Sequence, residues 1–231
     1  MRHSYSSVKL FERCPKAWEY SYVQGIKGKV GAAAERGTRI HFAAERFFEG
    51  EITASQLPVE YKPFLSSMEL AKTLGARTEY RMFINQAWRP LVIVDENKEP
   101  EGAWALAIID LHYTVGDELY IVDLKTGQFQ REHEDQVEFY MVVAATHYPN
   151  IERVHGCCFY LDQGTVGHQL SHRPSWLAML RIKWASRIAL VEKAKAAGMF
   201  PTTPGPRSCG ICSYRASRGG PCEKEYVHVP E

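Results

Sequence analysis

The chain has 231 residues, 45% of them hydrophobic and 24% charged, with a formal net charge of +1; this is the composition of a globular protein and speaks against a disordered or low-complexity one. So balanced a charge gives no general sign of a nucleic-acid binder without excluding one, so any phosphate-binding surface has to be a local concentration of Lys and Arg. No apolar run reaches the roughly 18 to 20 residues of a membrane span, and residues 1–24 are too aromatic, polar and charged for a signal peptide.

A cytoplasmic setting is therefore expected, the host cytoplasm for a phage-encoded chain, with no membrane partner. In that reducing compartment the six Cys read as thiols or thiolate ligands before disulfides.

In chain order, Ser4 to Tyr22 carries an aromatic-rich helical pattern broken at Cys14-Pro15, and Gly25, Gly28 and Gly31 mark a connection. Between Ala32 and Phe48, the apolar residues Ile40, Ala43, Ala44, Phe47 and Phe48 have helical spacing, which puts His41 on or beside a helix. A further helix is expected within Lys62 to Leu74. Strands are expected at Arg77–Ala87, Ala103–Tyr113 and Leu119–Leu124, then a helix between Arg131 and His147. Strands resume at Val154–Leu161 and Val166–Leu170, before a long helix over Ser175–Ala197. The tail from Phe200 to Glu231 is too rich in Pro, Gly and Cys for much regular structure. The expected organisation is one α/β domain over residues 1–231 with a tied-down tail.

The stretch Ile108 to Gly127 places Asp110 and Asp123 among Ile, Leu and Val, where a carboxylate is costly unless neutralised. A two-residue turn at Gly116-Asp117 would pair Val115 with Glu118, and the same antiparallel register sets Asp110 opposite Asp123. The period of two puts Lys125 on the face of Asp123. Two carboxylates so placed repel unless they share a divalent cation such as Mg²⁺ or Mn²⁺. Lys125 would then orient or deprotonate water and stabilise charge on a phosphoryl group. On spacing alone, a surface hairpin with Lys125 paired to one Asp remains the alternative.

Further residues extend the pattern. Ile109-Asp110 and Val122-Asp123-Leu124-Lys125, with His41 after Arg36-Gly37-Thr38 upstream and Gln136-x-x-x-Tyr140 downstream, resemble the PD-(D/E)xK nuclease superfamily, in particular its RecB-like and Cas4-like branch. The resemblance spans roughly Ser4 to Cys222. It implies a restriction-endonuclease-like core, a central mixed β-sheet flanked by helices. It also implies metal ligation by Asp110, Asp123, His41 and the Leu124 carbonyl, with Lys125 assisting in-line attack by water. Gln136 and Tyr140 would hold the scissile phosphate or Lys125. Glu79 is either an additional upstream acid or a solvent-facing strand residue.

Cys209-x-x-Cys212 and Cys222 lie in the tail, and Cys14 is a possible fourth ligand; four thiolates suit either Zn²⁺ or a 4Fe-4S cluster. The resemblance implies the cluster, with zinc second, in a metal-stapled C-terminal tail formed by residues 1–30 and 200–231. Cys157 and Cys158, adjacent on a strand, are expected to be packing residues.

The implied activity is a Mg²⁺- or Mn²⁺-dependent deoxyribonuclease, an exonuclease favouring single-stranded DNA or DNA ends, with endonuclease action as a further expectation. Phage or bacterial DNA processing, repair, recombination or a CRISPR-adaptation assembly would be its setting. Lys9, Arg13, Lys16, Arg207, Arg215 and Arg218 are candidate phosphate contacts or else ordinary solvent-facing charges, and Tyr5, Trp18 and Tyr22 are candidate stacking surfaces or, at least as readily, helix-core residues. A noncatalytic DNA-binding or assembly protein and a restriction-like endonuclease are the competing readings.

Overall fold

The computed structural model describes residues 2–29, 31–95, 97–224 and 226. Its two compact units are Met1–Arg2 with Ala32–Trp184, and His3–Gly31 with Ala185–Glu231. The helices are α1 (Tyr5–Arg13), α2 (Pro15–Tyr22), α3 (Ala32–Glu49), α4 (Leu65–Thr73), α5 (Glu132–His147), α6 (Pro174–Ala197) and α7 (Pro206–Gly210). The strands are β1 (Arg77–Ile84), β2 (Pro90–Leu91), β3 (Ala105–Val115), β4 (Glu118–Lys125), β5 (Arg153–Tyr160), β6 (Thr165–Val166) and β7 (Leu170–His172).

The larger unit is built on one sheet in the order β2-β1-β3-β4-β5-β6, with β7 also paired to β5. β4 and β5 are parallel and the other pairings antiparallel, giving the mixed α/β sheet expected. β3 and β4 are apolar almost throughout because both their faces are covered, as a central strand requires. One face packs Leu111, Val122 and Leu124 against Ile40, Ala44 and Phe47 of α3 and Met68 of α4. Against the other face lies α5, whose close approach depends on Gly156 in β5: a Cβ there would meet Val137 Cγ1 at 2.4 Å and Met141 Sδ at 2.8 Å.

The hairpin has the expected register, Val115 opposite Glu118 through Leu111 opposite Val122. Gly116 has φ +59°, while Asp117 is not in the left-handed region, the combination a type II′ turn needs. Other boundaries differ. The strand expected to reach Ala87 stops at Ile84, because Asn85 Oδ1 accepts from the backbone N–H groups of Ala87 and Arg89, both at 3.0 Å, and closes a turn. The helix expected from Lys62 starts instead as a 3-10 turn over Val59–Phe64 before α4. The segment read as one strand over Val166–Leu170 is two short strands that pair separately with β5.

In the smaller unit, Ser4 caps α1 by accepting from the Ser7 N–H at 3.2 Å, and Pro15 opens α2. Trp18 is fully buried, stacked on Phe200 at 5.6 Å, and donates to Ser7 Oγ at 3.0 Å. Ala17, Tyr20, Cys212 and Tyr214 form a second small core. Among the described residues, no helix is long and apolar enough to cross a membrane.

Candidate active site

The β3–β4 ladder ends just before the two acids. Asp110 turns its carboxylate onto the next strand, where Oδ2 accepts from the Leu124 N–H at 2.7 Å. Its other oxygen, Oδ1, lies 3.5 Å from His41 Nδ1, and Glu79 Oε1 lies 3.4 Å from the same nitrogen. His41, Glu79 and Asp110 each offer a ligand atom within 4.8 Å of the others. His41 Nε2 is 2.9 Å from the Leu124 carbonyl; a carbonyl only accepts, so Nε2 carries the proton and Nδ1 faces the two acids.

Glu79 reaches that position through an unusual backbone. It has φ +47° in the middle of β1, and its neighbours pair normally, Thr78 with Leu111 and Tyr80 with Ile109. A non-glycine residue held there costs on the order of 1 to 3 kcal/mol, a strain typical of functional positions. Its carboxylate thereby joins His41 and Asp110.

Asp123 is fully buried. Its Oδ2 lies 2.6 Å from Lys125 Nζ and 3.7 Å from the Cys158 thiol, while Oδ1 is buried with no hydrogen-bond partner. Burial, reinforced by the charge on Asp110 and opposed by Lys125, pushes its pKa up to about 6. For His41, burial opposes protonation, but hydrogen bonds and charge from Asp110 and Glu79 prevail and raise its pKa to about 10. An imidazole drawn towards protonation by two acids fits a hard divalent cation, and Asp123, outside that trio, is close enough to feel the charges of His41 and Asp110.

Lys125 Nζ also donates to Gln136 Oε1 at 3.0 Å, and Gln136 Nε2 donates to Tyr140 Oη at 2.7 Å, one turn along α5. Burial opposes the charge on Lys125, but Asp123 and Asp110 hold it as an ammonium with a raised pKa. Burial keeps the Tyr140 hydroxyl protonated. The structure thus gathers His41, Glu79, Asp110, Asp123, Leu124, Lys125, Gln136 and Tyr140 in one unit. Sequence reasoning missed the Cys158 thiol beside Asp123, although the parallel register that sets Cys158 opposite Asp123 is its cause.

The cysteine expectation is corrected. Among the described residues, the one group of three or more His, Cys, Asp or Glu ligand atoms close enough to share an ion is His41, Glu79 and Asp110, and no trio of thiols qualifies. Cys157 and Cys158 lie on β5, whereas Cys14, Cys209, Cys212 and Cys222 border one pocket in the smaller unit without any three of their sulfurs coming within 4.8 Å of one another. Cys209 Sγ there accepts from the Tyr226 N–H at 3.3 Å. Among the described residues, neither the 4Fe-4S cluster nor the zinc alternative is supported, and no metal-stapled tail is evident.

Of the three aromatics open to either a stacking or a core role, Tyr5 and Trp18 are core side chains, 7% and 0% exposed, while Tyr22 is 39% exposed. The candidate phosphate contacts all fall in the smaller unit, where Arg207 and Arg218 are exposed and Lys16 is paired with Glu19 at 2.6 Å. That unit holds 12 Lys and Arg against six Asp and Glu, net +6, whereas the larger holds 16 against 21, net −5. The near-neutral total conceals this division.

A family model for the PD-(D/E)XK nuclease superfamily matches residues 2–217. The chain belongs to that superfamily. Membership and the His41–Glu79–Asp110 cluster together support a nuclease-type enzyme. Among solved structures, the superfamily chain resembles a candidate exonuclease from Eubacterium rectale, with a TM-score of 0.55 and 12% identity over 98% of this chain and 91% of that one. It also resembles SSO0001, with a TM-score of 0.50 and 13% identity over 98% and 87%. Both likenesses concern the fold. No curated protein sequence matches the chain.

Proposed function

We propose that the protein is a Mg²⁺- or Mn²⁺-dependent deoxyribonuclease that hydrolyses phosphodiester bonds as an exonuclease acting on single-stranded DNA or DNA ends. The observation that carries this reading is the strained Glu79, whose φ of +47° brings its carboxylate to His41 and Asp110. A divalent cation held by His41, Glu79, Asp110 and Asp123 would supply Lewis acidity at the phosphate and a more acidic water. The Leu124 N–H fixes the Asp110 carboxylate, and the Leu124 carbonyl fixes the His41 ring.

Lys125, kept charged by Asp123 and tethered by Gln136, serves to orient water and to stabilise negative charge developing on the phosphoryl oxygens. Its raised pKa favours that role over proton abstraction. The smaller unit, net +6, is suited to holding the DNA backbone without reading its sequence. His41 and the Gln136–Tyr140 pair favour the RecB-like and Cas4-like branch over restriction-like enzymes, with no cluster required.

End-labelled linear and closed circular DNA, single- and double-stranded, incubated with Mg²⁺, Mn²⁺ or EDTA, test this function. Progressive shortening of linear strands, dependent on the cation and leaving 5′-phosphates, is expected. Discrete cuts in circles would make the enzyme an endonuclease. Binding without cleavage would leave only a DNA-binding or assembly role.

A further inference from the structure

Three aromatic side chains meet on the lysine side of the site. Phe129 lies four residues beyond Lys125, in the loop between β4 and α5, and is 53% exposed. Its ring centroid is 5.7 Å from that of Tyr160, with the planes at 58°. Tyr160 is buried, is the register partner of Lys125 across the parallel β4–β5 pair, and has its hydroxyl 3.1 Å from His133 Nδ1. The His133 and Tyr160 rings are 5.7 Å apart. Tyr160 is therefore held in place from the α5 side, and Phe129 is the member whose ring reaches solvent.

The character of this patch matters as much as its position. Burial, with the charge of Lys125 adding to it, lowers the His133 pKa to about 4, so the imidazole is neutral at physiological pH. It adds no cation for a phosphate oxygen, and the patch beside Lys125 consists of uncharged rings. A nucleic-acid strand alternates an anionic phosphate with a flat base, and an ammonium next to an aromatic shelf matches one such repeat. Bases inside a duplex are stacked on one another, so only an unpaired nucleotide can present its face.

The geometry points to Phe129, backed by Tyr160, as the stacking contact for an unpaired base next to the scissile phosphate, a specificity-determining position that selects single strands or frayed ends. This inference rests on the hydrolytic reading above and names a substrate contact for it.

The test moves one tetrahydrofuran abasic residue stepwise through a single-stranded oligonucleotide and compares cleavage by wild type, Phe129→Ala and Phe129→Trp with Mn²⁺. Wild-type kcat/KM falls about tenfold, the scale of one base–aromatic contact, when the abasic residue occupies the shelf. Phe129→Ala shows a similar loss on the intact strand, mainly in KM, with no further loss at that abasic position, and Phe129→Trp restores the wild-type pattern. A flat abasic scan in wild type, or an unchanged base dependence in Phe129→Ala, overturns the assignment. The same strands carrying 2-aminopurine, bound with Ca²⁺ in place of Mn²⁺, separate the two readings. Fluorescence quenching by wild type but not Phe129→Ala, without Mn²⁺-dependent cleavage by either, supports the shelf and overturns hydrolysis. Cleavage with quenching that ignores Phe129 overturns the shelf and leaves hydrolysis standing.

Discussion

His41 donates from Nε2 to the backbone carbonyl of Leu124 across 2.9 Å, and this bond aims its Nδ1 at Glu79 and Asp110. A helix residue and the residue preceding the site lysine are thereby locked together.

In metal-free protein that nitrogen holds a proton, with a pKa of about 10 against an ordinary 6.5. A folded-state pKa above the unfolded value means the contribution to stability is complete below about pH 6.5 and is lost as the pH rises through 10. In EDTA, Tm should fall between pH 7 and 10 for wild type and change less for His41→Gln. Mn²⁺ must displace the proton, so calorimetry in buffers of different ionisation heat should report release of about one proton per ion near pH 8.

Glu79→Gly separates strain from ligation. Glycine accepts φ +47° without the side-chain penalty, so the metal-free variant should be as stable as wild type or up to about 1 kcal/mol more so in urea unfolding. Loss of the carboxylate should weaken Mn²⁺ binding by at least about tenfold, the order that follows loss of a ligand-supporting group.

The chain Lys125–Gln136–Tyr140 positions the ammonium through two hydrogen bonds. Tyr140→Phe removes one of them with little change in shape and should lower kcat about three- to tenfold while leaving KM nearly unchanged, the size of a loss of about 1 kcal/mol. Combined with Gln136→Ala, the effects should be less than additive in steady-state cleavage assays, because the two side chains act in series.

Charge on the smaller unit predicts salt behaviour. Lys29 Nζ donates to the Arg218 carbonyl at 3.2 Å and the Arg218 guanidinium to the Gly210 carbonyl at 2.9 Å, so both exposed side chains are held by backbone carbonyls. The double variant Lys29→Glu, Arg218→Glu should weaken DNA binding in fluorescence anisotropy. It should also flatten the plot of log affinity against log salt by about 0.7 to 0.9 for each phosphate that the variant leaves unneutralised.

Much of this was legible in the chain. Gly116-Asp117 set the hairpin register from turn chemistry, and the alternation around Asp123 put Lys125 on the same face. The role of Glu79 was left open because its geometry depends on a backbone flip that no strand pattern encodes. Cys158 beside Asp123 and Tyr160 beside Lys125 depend on the β4–β5 pairing, a crossover contact between residues 35 apart that periodicity does not specify. The cysteine spacing misled because lining one pocket with four thiols is not the convergence of their sulfurs on a metal. Trp18 and Tyr5 take the core role that stood open beside stacking, because large aromatics fill cores before they form surfaces.

The most direct test of a hydrolytic cation site at His41, Glu79, Asp110 and Asp123 is the rate of phosphodiester cleavage against Mn²⁺ concentration for wild type, Asp110→Asn and Lys125→Ala. Asparagine at 110 retains an acceptor for the Leu124 N–H, so a loss there reports the charge rather than the fold. The rate should saturate with Mn²⁺, vanish in EDTA, and fall by at least about 10²-fold in both variants, the scale of removing one group that stabilises transition-state charge. Full-rate cleavage in EDTA, or by both variants, would contradict the assignment.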